Sequence, residues 1–296
     1  MNTGPLHDQI VRQFPSMSAQ LQKAARYVLD SPNDVALLSM REQARHADVH
    51  PSTMTRFAKF IGLTGYDDVR TSYAAAVREG SLGFAKKAGE QVASQKLKGD
   101  KSLALEIAQS VTREIAKIGS PATLDRMVAA ADILMNARRI YYLGLRSSHS
   151  VSWQLYYVLN LIGCQSIQLN GIAGTGSDAL SEGSDRDVLF VTSVLPYTRA
   201  TMELAQYGKS RGIKVVAITD SEVSPLAQFA DAAIFVSTES PSFFHTMAPA
   251  FVVAEILGSI IAGRKGGAAL DALRRMDDHL KQLDTYQQSR NLKQTP

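Results

Sequence analysis

The sequence predicts a small all-α domain followed by an α/β domain of three layers around a parallel sheet. In residues 1–80, apolar residues recur at helical spacing and almost no segment has strand character. From Arg139 onward, short apolar runs alternate with segments of helical length. This alternation is typical of βαβ units whose parallel sheet is covered by helices on both faces. The chain of 296 residues is long enough for two such cores.

The sequence pattern divides the chain into four regions. We expect a helical domain at residues 1–80, a linker with a connecting helix at 81–118, the α/β domain at 119–283 and a polar tail at 284–296. Strands are predicted at Ile140–Leu143, Ser166–Leu169, Val188–Ser193, Val215–Thr219 and Ala233–Val236. Helices are predicted at about Ser102–Lys117, Thr123–Ala137, Ser148–Ile162, Arg199–Arg211 and Pro225–Phe229. Ligands of parallel sheets bind beyond the carboxyl ends of the strands, so the residues after each strand are the first candidates for a site.

Composition and charge exclude several classes of protein. With 45% apolar and 20% charged residues, the chain is typical of soluble globular proteins. Cys164 is the only cysteine, which excludes an intrachain disulfide and a multi-cysteine metal site, and we expect no metal and no cofactor. The most apolar stretch, Phe243–Gly263, is interrupted by Glu255 and is expected to be a buried helix; without a signal segment, the expected location is the cytoplasm. The net charge is +1 for residues 1–80 and +3 for 81–118, so charge alone does not indicate a nucleic-acid binder.

Residues 40–57 fit the pattern of a helix-turn-helix. Ala44 is small where two helices cross steeply, and Asp48, four residues later, stands where the turn requires a left-handed conformation. Pro51 suits the first position of the second helix, because the N–H that it lacks would have no partner there. Three apolar residues are spaced to pack the second helix onto the first: Val49, Met54 and Phe57.

This packing leaves the opposite face and the first turn of the second helix as a candidate DNA-binding surface. The residues expected there are Ser52, Thr53, Thr55, Arg56 and Lys59. Hydroxyl groups can bond phosphates or base edges, and an arginine such as Arg56 can contact guanine through two hydrogen bonds. The alternative is an ordinary two-helix hairpin with a solvated basic end.

Residues 1–80 resemble the N-terminal domain of the RpiR/MurR family of bacterial regulators. The resemblance rests on Ser39–Ala44, Val49–Phe57 and Ile61–Tyr66. Two residues depart from the family pattern, since Asp48 replaces the usual turn glycine and His50 replaces the usual capping serine. Histidine is a weaker cap, so some loss of helix stability is expected.

The second domain is similar to the sugar isomerase (SIS) domain, which follows the DNA-binding module in that family. Together the two resemblances cover about residues 5–280. After the first predicted strand come Gly144, Arg146, Ser147 and Ser148. A small residue and hydroxyl residues at a helix start are typical of an anion site. SIS domains usually carry glycine at the position of Arg146, which here either strengthens the anion site or fills it. The alternative is a serine-rich helix start that binds no ligand.

The turn after the third predicted strand departs further from the SIS pattern. Ser193 and Thr198 match the expected phosphate-binding turn, whereas Leu195 and Pro196 remove a hydroxyl and a backbone donor. We therefore expect the effector not to be a sugar phosphate bound in the usual SIS manner, and a carboxylate paired with Arg146 is favoured.

Two further segments are candidates to reach the same site. Residues 170–177 follow the second strand and could cover a ligand, and residues 239–245 follow the last strand and are expected to begin a long helix. A phenylalanine pair such as Phe243–Phe244 is more often core than ligand platform, and His245 is more often structural than a catalytic base. The full set of effector-site candidates is Gly144, Arg146, Ser147, Ser148, Ser193, Tyr197, Thr198 and His245.

These features favour a ligand-responsive regulator that binds double-stranded DNA and senses a small anionic metabolite, possibly a carbohydrate derivative. The alternatives are a sugar-phosphate isomerase and a metabolite-binding protein with a helical interaction module. No catalytic residue is assigned, because no spacing requires Glu239 and His245 to form an acid/base pair. We expect a homodimer or homotetramer, because such domains read paired half-sites and the apolar helices Ser148–Ile162 and Pro249–Ile261 exceed what one sheet face needs.

Overall fold

A computed structural model describes residues 5–78, 84–171 and 175–286. Residues 172–174 of the segment expected to cover a ligand, and residues 287–296 of the expected polar tail, lie outside these ranges. The first domain is all-α, as predicted. Its helices are α1 (Pro5–Gln13), α2 (Ala19–Asp30), α3 (Pro32–Leu37), α4 (Met40–His46), α5 (Pro51–Phe60) and α6 (Tyr66–Arg78).

A buried glutamine joins three of these helices. Gln43 of α4 is fully buried, and its Nε2 donates to the carbonyl oxygens of Val35 (3.1 Å) and Leu38 (2.8 Å). The hydroxyl of Tyr66, at the start of α6, donates to Gln43 Oε1 at 2.6 Å. A buried amide is tolerated only when it is hydrogen-bonded, and here both ends of the side chain have partners.

Two helices connect the domains, α7 (Phe84–Lys98) and α8 (Asp100–Lys117). Gly99 separates them with a φ of 82°, a conformation that favours glycine. The connecting helix was expected at Ser102, but α8 begins two residues earlier, and most of the stretch taken as linker is helical. Lys, Gln, Glu and Ala dominate α7, and these are good helix formers.

The second domain contains a parallel sheet of five strands in its described residues, as predicted. They are β1 (Ile140–Leu143), β2 (Ser166–Gln168), β3 (Val188–Thr192), β4 (Lys214–Thr219) and β5 (Ala232–Phe235), in the order β2-β1-β3-β4-β5. The helices are α9 (Pro121–Met135), α10 (His149–Leu161), α11 (Arg199–Ser210), α12 (Ala248–Lys265) and α13 (Gly267–Gln282). The helix expected at Pro225–Phe229 is a short 3₁₀ turn, Leu226–Gln228.

Successive residues of the strands enter two different apolar cores, one on each face of the sheet. Tyr142, Phe190 and Val216 pack with α9, α10 and α12, whereas Tyr141 and Leu189 pack on the opposite face with α11. This alternation follows from the period of two in a strand, and it makes the domain three-layered.

The segment after β5 differs from the prediction. It was expected to begin a long helix near residue 239, but α12 begins at Ala248. Thr246 Oγ1 accepts a hydrogen bond from the backbone N–H of Ala248 at 3.2 Å, and Pro249 occupies the first turn, where proline is favoured. Residues 236–247 are therefore free to form a loop over the end of the sheet. No helix among the described residues is long and apolar enough to cross a membrane.

Candidate DNA-binding surface and effector cleft

Local hydrogen bonds fix the helix-turn-helix. At the start of α4, Ser39 Oγ accepts from the N–H of Glu42, and Glu42 Oε2 accepts from the N–H of Ser39, which forms a capping box. Asp48 has a φ of 52°, so the predicted left-handed turn is confirmed. Its carboxylate pairs with Lys23 of α2 at 2.7 Å, and the hydrogen bond and charge of Lys23 lower the pKa of Asp48.

Histidine serves as the cap of α5. His50 Nδ1 accepts from the backbone N–H of Ser52 at 3.3 Å, so one of the first N–H groups of the helix has a side-chain partner. Ala44 lies at the helix crossing and is 1% exposed. Met54 and Phe57 are fully buried against it, as the pattern predicted.

Four of the five predicted DNA-binding residues retain at least partial exposure. Ser52, Arg56 and Lys59 are exposed and Thr55 is half-buried. Thr53 was expected at the surface, and this is wrong, because it is 2% exposed. It lies four residues before Phe57 and therefore shares the helix face that packs into the domain. Its Oγ1 accepts from Arg56 Nη2 at 3.2 Å, a contact that orients the arginine.

A cleft of about 1100 Å³ lies beyond the carboxyl ends of β3, β4 and β5. The loops after these strands form its floor. Helices α1, α7 and α8 form the remaining wall, so both domains and the connecting helices line it. The floor residues include Leu195, Pro196, Asp220, Ser221, Ser237, Thr238 and His245, and the helical residues include Val11, Arg12, Phe84, Lys87, Arg113 and Glu114.

The loop after β1 reaches the cleft indirectly. Gly144 is required by packing, since a Cβ there would lie 2.5 Å from the carbonyl oxygen of Ser148 and from Ser152 Oγ. Arg146 is exposed with a φ of 55°, and Ser148 is buried. Ser147 Oγ is hydrogen-bonded to His245 Nε2 at 2.9 Å. Of the eight predicted effector residues, His245 is the one that lines the cleft, and Ser147 contacts it.

The loop after β3 faces the cleft with its apolar residues. Ser193 is 3% exposed, and Thr198 precedes α11 with no side-chain cap bond. The Tyr197 hydroxyl donates to Asp220 Oδ1 at 2.8 Å; burial and the charge of Asp220 raise the pKa of Tyr197. Burial also raises the pKa of Asp220, although the Tyr197 hydrogen bond opposes the shift. Leu195 and Pro196, which replace phosphate-binding residues of the SIS pattern, line the cleft.

The charges around the cleft are unevenly paired. Glu114, 5% exposed, pairs with Lys117 at 2.6 Å; burial alone would raise its pKa, but the Lys117 and Ser237 hydrogen bonds lower it. Glu106 pairs with Lys98 at 2.9 Å. By contrast, three cations form no ion pair with any other described residue: Arg12, Lys87 and Arg113. Burial and the charge of Lys87 lower the pKa of His245.

Sequence reasoning missed the helical wall of the cleft. Arg12, Lys87 and Arg113 lie on three helices that precede the sheet domain, and no local pattern marks them as site residues. The phenylalanine pair was expected in the core, and this is also wrong: Phe243 is 45% and Phe244 38% exposed. Phe243 lines the cleft, and Phe244 stacks on Phe84 of α7, so both rings lie outside the core.

Comparison with known proteins agrees with this architecture. Residues 5–79 match the helix-turn-helix domain of the rpiR family, and residues 133–259 match the SIS domain. The HTH-type transcriptional regulator HexR of Pseudomonas aeruginosa is 24% identical over 289 residues, which are 93% of this chain and 95% of HexR. A helix-turn-helix domain followed by a SIS domain defines a transcriptional regulator. The chain belongs to the RpiR family.

Solved structures share the fold. The sugar isomerase domain of an RpiR transcription factor from Sphaerobacter thermophilus matches 60% of this chain and 98% of its own, with a TM-score of 0.55 at 24% identity. The Vibrio vulnificus NanR protein, complexed with ManNAc-6P, matches 94% of this chain and 98% of its own, with a TM-score of 0.53 at 20% identity. At these identities the likeness establishes the fold of both domains and nothing finer.

Proposed function

We propose that this regulator binds operator DNA through α5 and that a small anionic metabolite in the cleft changes the strength of that binding. The cleft carries the proposal, because residues of the sheet domain, the connecting helices and α1 of the DNA-binding domain line one cavity. A ligand there contacts both domains and can favour one arrangement of them over another. Because its target is the DNA of a bacterium, we place the protein in the cytoplasm.

The cleft supports sensing rather than catalysis. An isomerase needs an acid and a base positioned at the sugar. Here Glu114 is held by Lys117, Asp220 by Tyr197 and His245 by Ser147. Glu239 also lines the cleft, but no hydrogen bond joins its side chain to His245 among the described residues, so the two do not form an acid/base pair. The likeness to the sugar isomerase domain therefore extends to the fold, and we assign no catalytic residue.

We further propose that the effector is anionic but is not held as a sugar phosphate is in the usual SIS pocket. NanR, which shares the fold, was solved with ManNAc-6P, so a phosphorylated sugar remains a relevant probe. In this chain Ser193 is buried and Leu195 and Pro196 face the cleft, so hydroxyl donors are missing where that pocket needs them. The unpaired cations of the helical wall offer the alternative.

A homo-oligomer is proposed from an exposed aromatic pair on α10. Trp153 is 45% and Tyr157 38% exposed, and their rings stack at 5.3 Å with an interplanar angle of 7°. Aromatic residues are enriched at protein interfaces, and two recognition helices are needed to read two half-sites. Light scattering at micromolar concentration should give at least a dimer, and Trp153→Ser should shift it toward the monomer.

The test of the proposed function is operator binding by an α5 variant. Arg56→Ala should weaken binding to the DNA flanking the protein's own gene by about 1–3 kcal/mol, roughly five- to 150-fold, without unfolding the domain. Arg275→Ala, which removes an exposed arginine from α13, is the control and should bind as the wild type does. Fluorescence anisotropy measures both. Equal operator affinity in the two variants would contradict the assignment of α5.

A further inference from the structure

Helix α7 contacts the loop that carries His245 through aromatic stacking and a hydrogen bond. The ring of Phe84, in the first turn of α7, stacks on Phe244 with centroids 5.4 Å apart and planes 27° apart. Gln91, seven residues and two turns later, accepts a hydrogen bond from the backbone N–H of Phe243 through Oε1 at 2.9 Å. Phe244 in turn stacks on His245 at 4.2 Å. One face of α7 therefore lies directly over the end of the sheet.

Lys87 lies on that same face of α7, between Phe84 and Gln91. Spacings of three and four residues from Phe84 and Gln91 place all three side chains on one side of the helix. Lys87 and His245 both line the cleft. Their proximity is reflected in the pKa of His245, which is lowered by burial and by the charge of Lys87.

Three of the four carboxylates that line the cleft already have partners; the fourth, Glu239, is exposed and forms no ion pair with another described residue. Glu106 and Glu114 are paired with Lys98 and Lys117, and Asp220 accepts from Tyr197. Arg12 of α1 lines the same cleft and, within the described parts of the chain, has no ion-pair partner. Cations that face a cavity without a carboxylate partner are the donors that a phosphate or carboxylate ligand requires.

We propose that an anionic group of the effector binds between Lys87 of α7 and His245, with Arg12 of α1 as a further cation. This inference rests on the proposed function and specifies its site. The anion-binding charge then comes from the connecting helix and the DNA-binding domain, and the sheet domain contributes the floor. An occupied site ties α7 to the loop at residues 243–245 more firmly than the aromatic and amide contacts do alone, which couples the cleft to the helices preceding it.

The experiment compares anion binding by the full chain and its variants. The probes are inorganic phosphate, ManNAc-6P and gluconate, followed by calorimetry and by thermal shift. Lys87→Gln should weaken binding of whichever probes bind the wild type by about tenfold or more, because a charged hydrogen bond is lost. Lys96→Gln, on an exposed position of the same helix, is the matched control and should bind as the wild type does. Comparing the phosphate probes with gluconate distinguishes a phosphate from a carboxylate site.

A second measurement reports on the helix itself. Saturating probe should slow amide hydrogen exchange in residues 84–98 of the wild type and not in Lys87→Gln. Binding that survives Lys87→Gln but is lost in Arg146→Ala would overturn the inference and place the anion at the loop after β1. Absence of binding by all three probes would also count against the site. Neither result touches the Arg56 test, so the DNA-binding function stands or fails separately.

Discussion

The helix-turn-helix and the effector cleft are assembled in opposite ways. The residues that shape the helix-turn-helix lie in one short segment of the chain, from the capping box at Ser39 to Phe57. The cleft joins Arg12 near one end of the chain with His245 near the other. The helix-turn-helix can therefore be predicted from local sequence, whereas the cleft forms only when the domains pack together.

The two regions also differ in what a departure from the family pattern changes. At Asp48 the turn keeps its left-handed geometry, and the contact with Lys23 offsets part of the strain of a non-glycine residue. At Leu195 and Pro196 the change alters what the cleft offers a ligand, because these side chains line it. In the helix-turn-helix, a nearby residue can compensate for a substitution. In the cleft, a substitution changes the groups that a ligand contacts.

The largest expected effect is a loss of stability of the helical first domain alone, caused by substitution of Gln43. Gln43→Leu leaves the carbonyl oxygens of Val35 and Leu38 and the hydroxyl of Tyr66 without partners in the core. At about 1–3 kcal/mol for each unsatisfied buried group, the free energy of unfolding should fall by roughly 3 kcal/mol or more. Circular dichroism during thermal unfolding should show an early transition of the first domain. Gln20→Leu on the exposed face of α2 is the control, and an equal loss in both variants would refute the role of the buried network.

An intermediate effect is expected from the close approach at Gly144. Gly144→Ala forces a Cβ against Ser148 and Ser152, and such overpacking typically costs about 1–3 kcal/mol. The shift should also move Ser147 relative to His245 and weaken anion binding while operator affinity is retained. Gly263→Ala, in α12 with open space around it, should instead be neutral or stabilising by up to about 1 kcal/mol. Chemical denaturation separates the two, and similar behaviour would show that Gly144 is not confined by packing.

The smallest expected effect is a pH dependence of stability, which tests the interaction of Lys87 with His245 in the cleft. Since the pKa of His245 is lowered from its ordinary value of 6.5, the unfolded chain takes up this proton at a higher pH than the folded chain. The contribution of neutral His245 to the free energy of unfolding is fully present above pH 6.5. It is lost as the pH falls through the lowered pKa of His245 in the folded chain. His245→Gln should flatten this part of the stability profile, and Lys87→Gln should shift it toward higher pH. A Lys87 variant with an unchanged profile would show that the two charges do not interact.

Much of the fold could be predicted from the sequence, since most strand and helix bounds agree within one or two residues. The exceptions have physical causes. Thr53 has a polar side chain, but the position of Phe57 one turn later places it on the buried face. Residues 84–98 contain too few apolar residues to predict a docked helix, and the partner of Phe84 lies in the last loop of the sheet domain. Of the site, the sequence indicated His245 and Ser147 by type, and their contact only became evident in three dimensions.

What the sequence by itself determined is the order and kind of the elements and the helix-turn-helix with its exposed Arg56. Each of these depends on residues within one turn or one strand, where spacing alone fixes which side chains share a face. Only the tertiary structure decided that Arg12 and Lys87 line the same cavity as His245. Val223, from the loop after β4, packs into the apolar cluster of the first domain, so burial of apolar surface between domains holds these distant charges together.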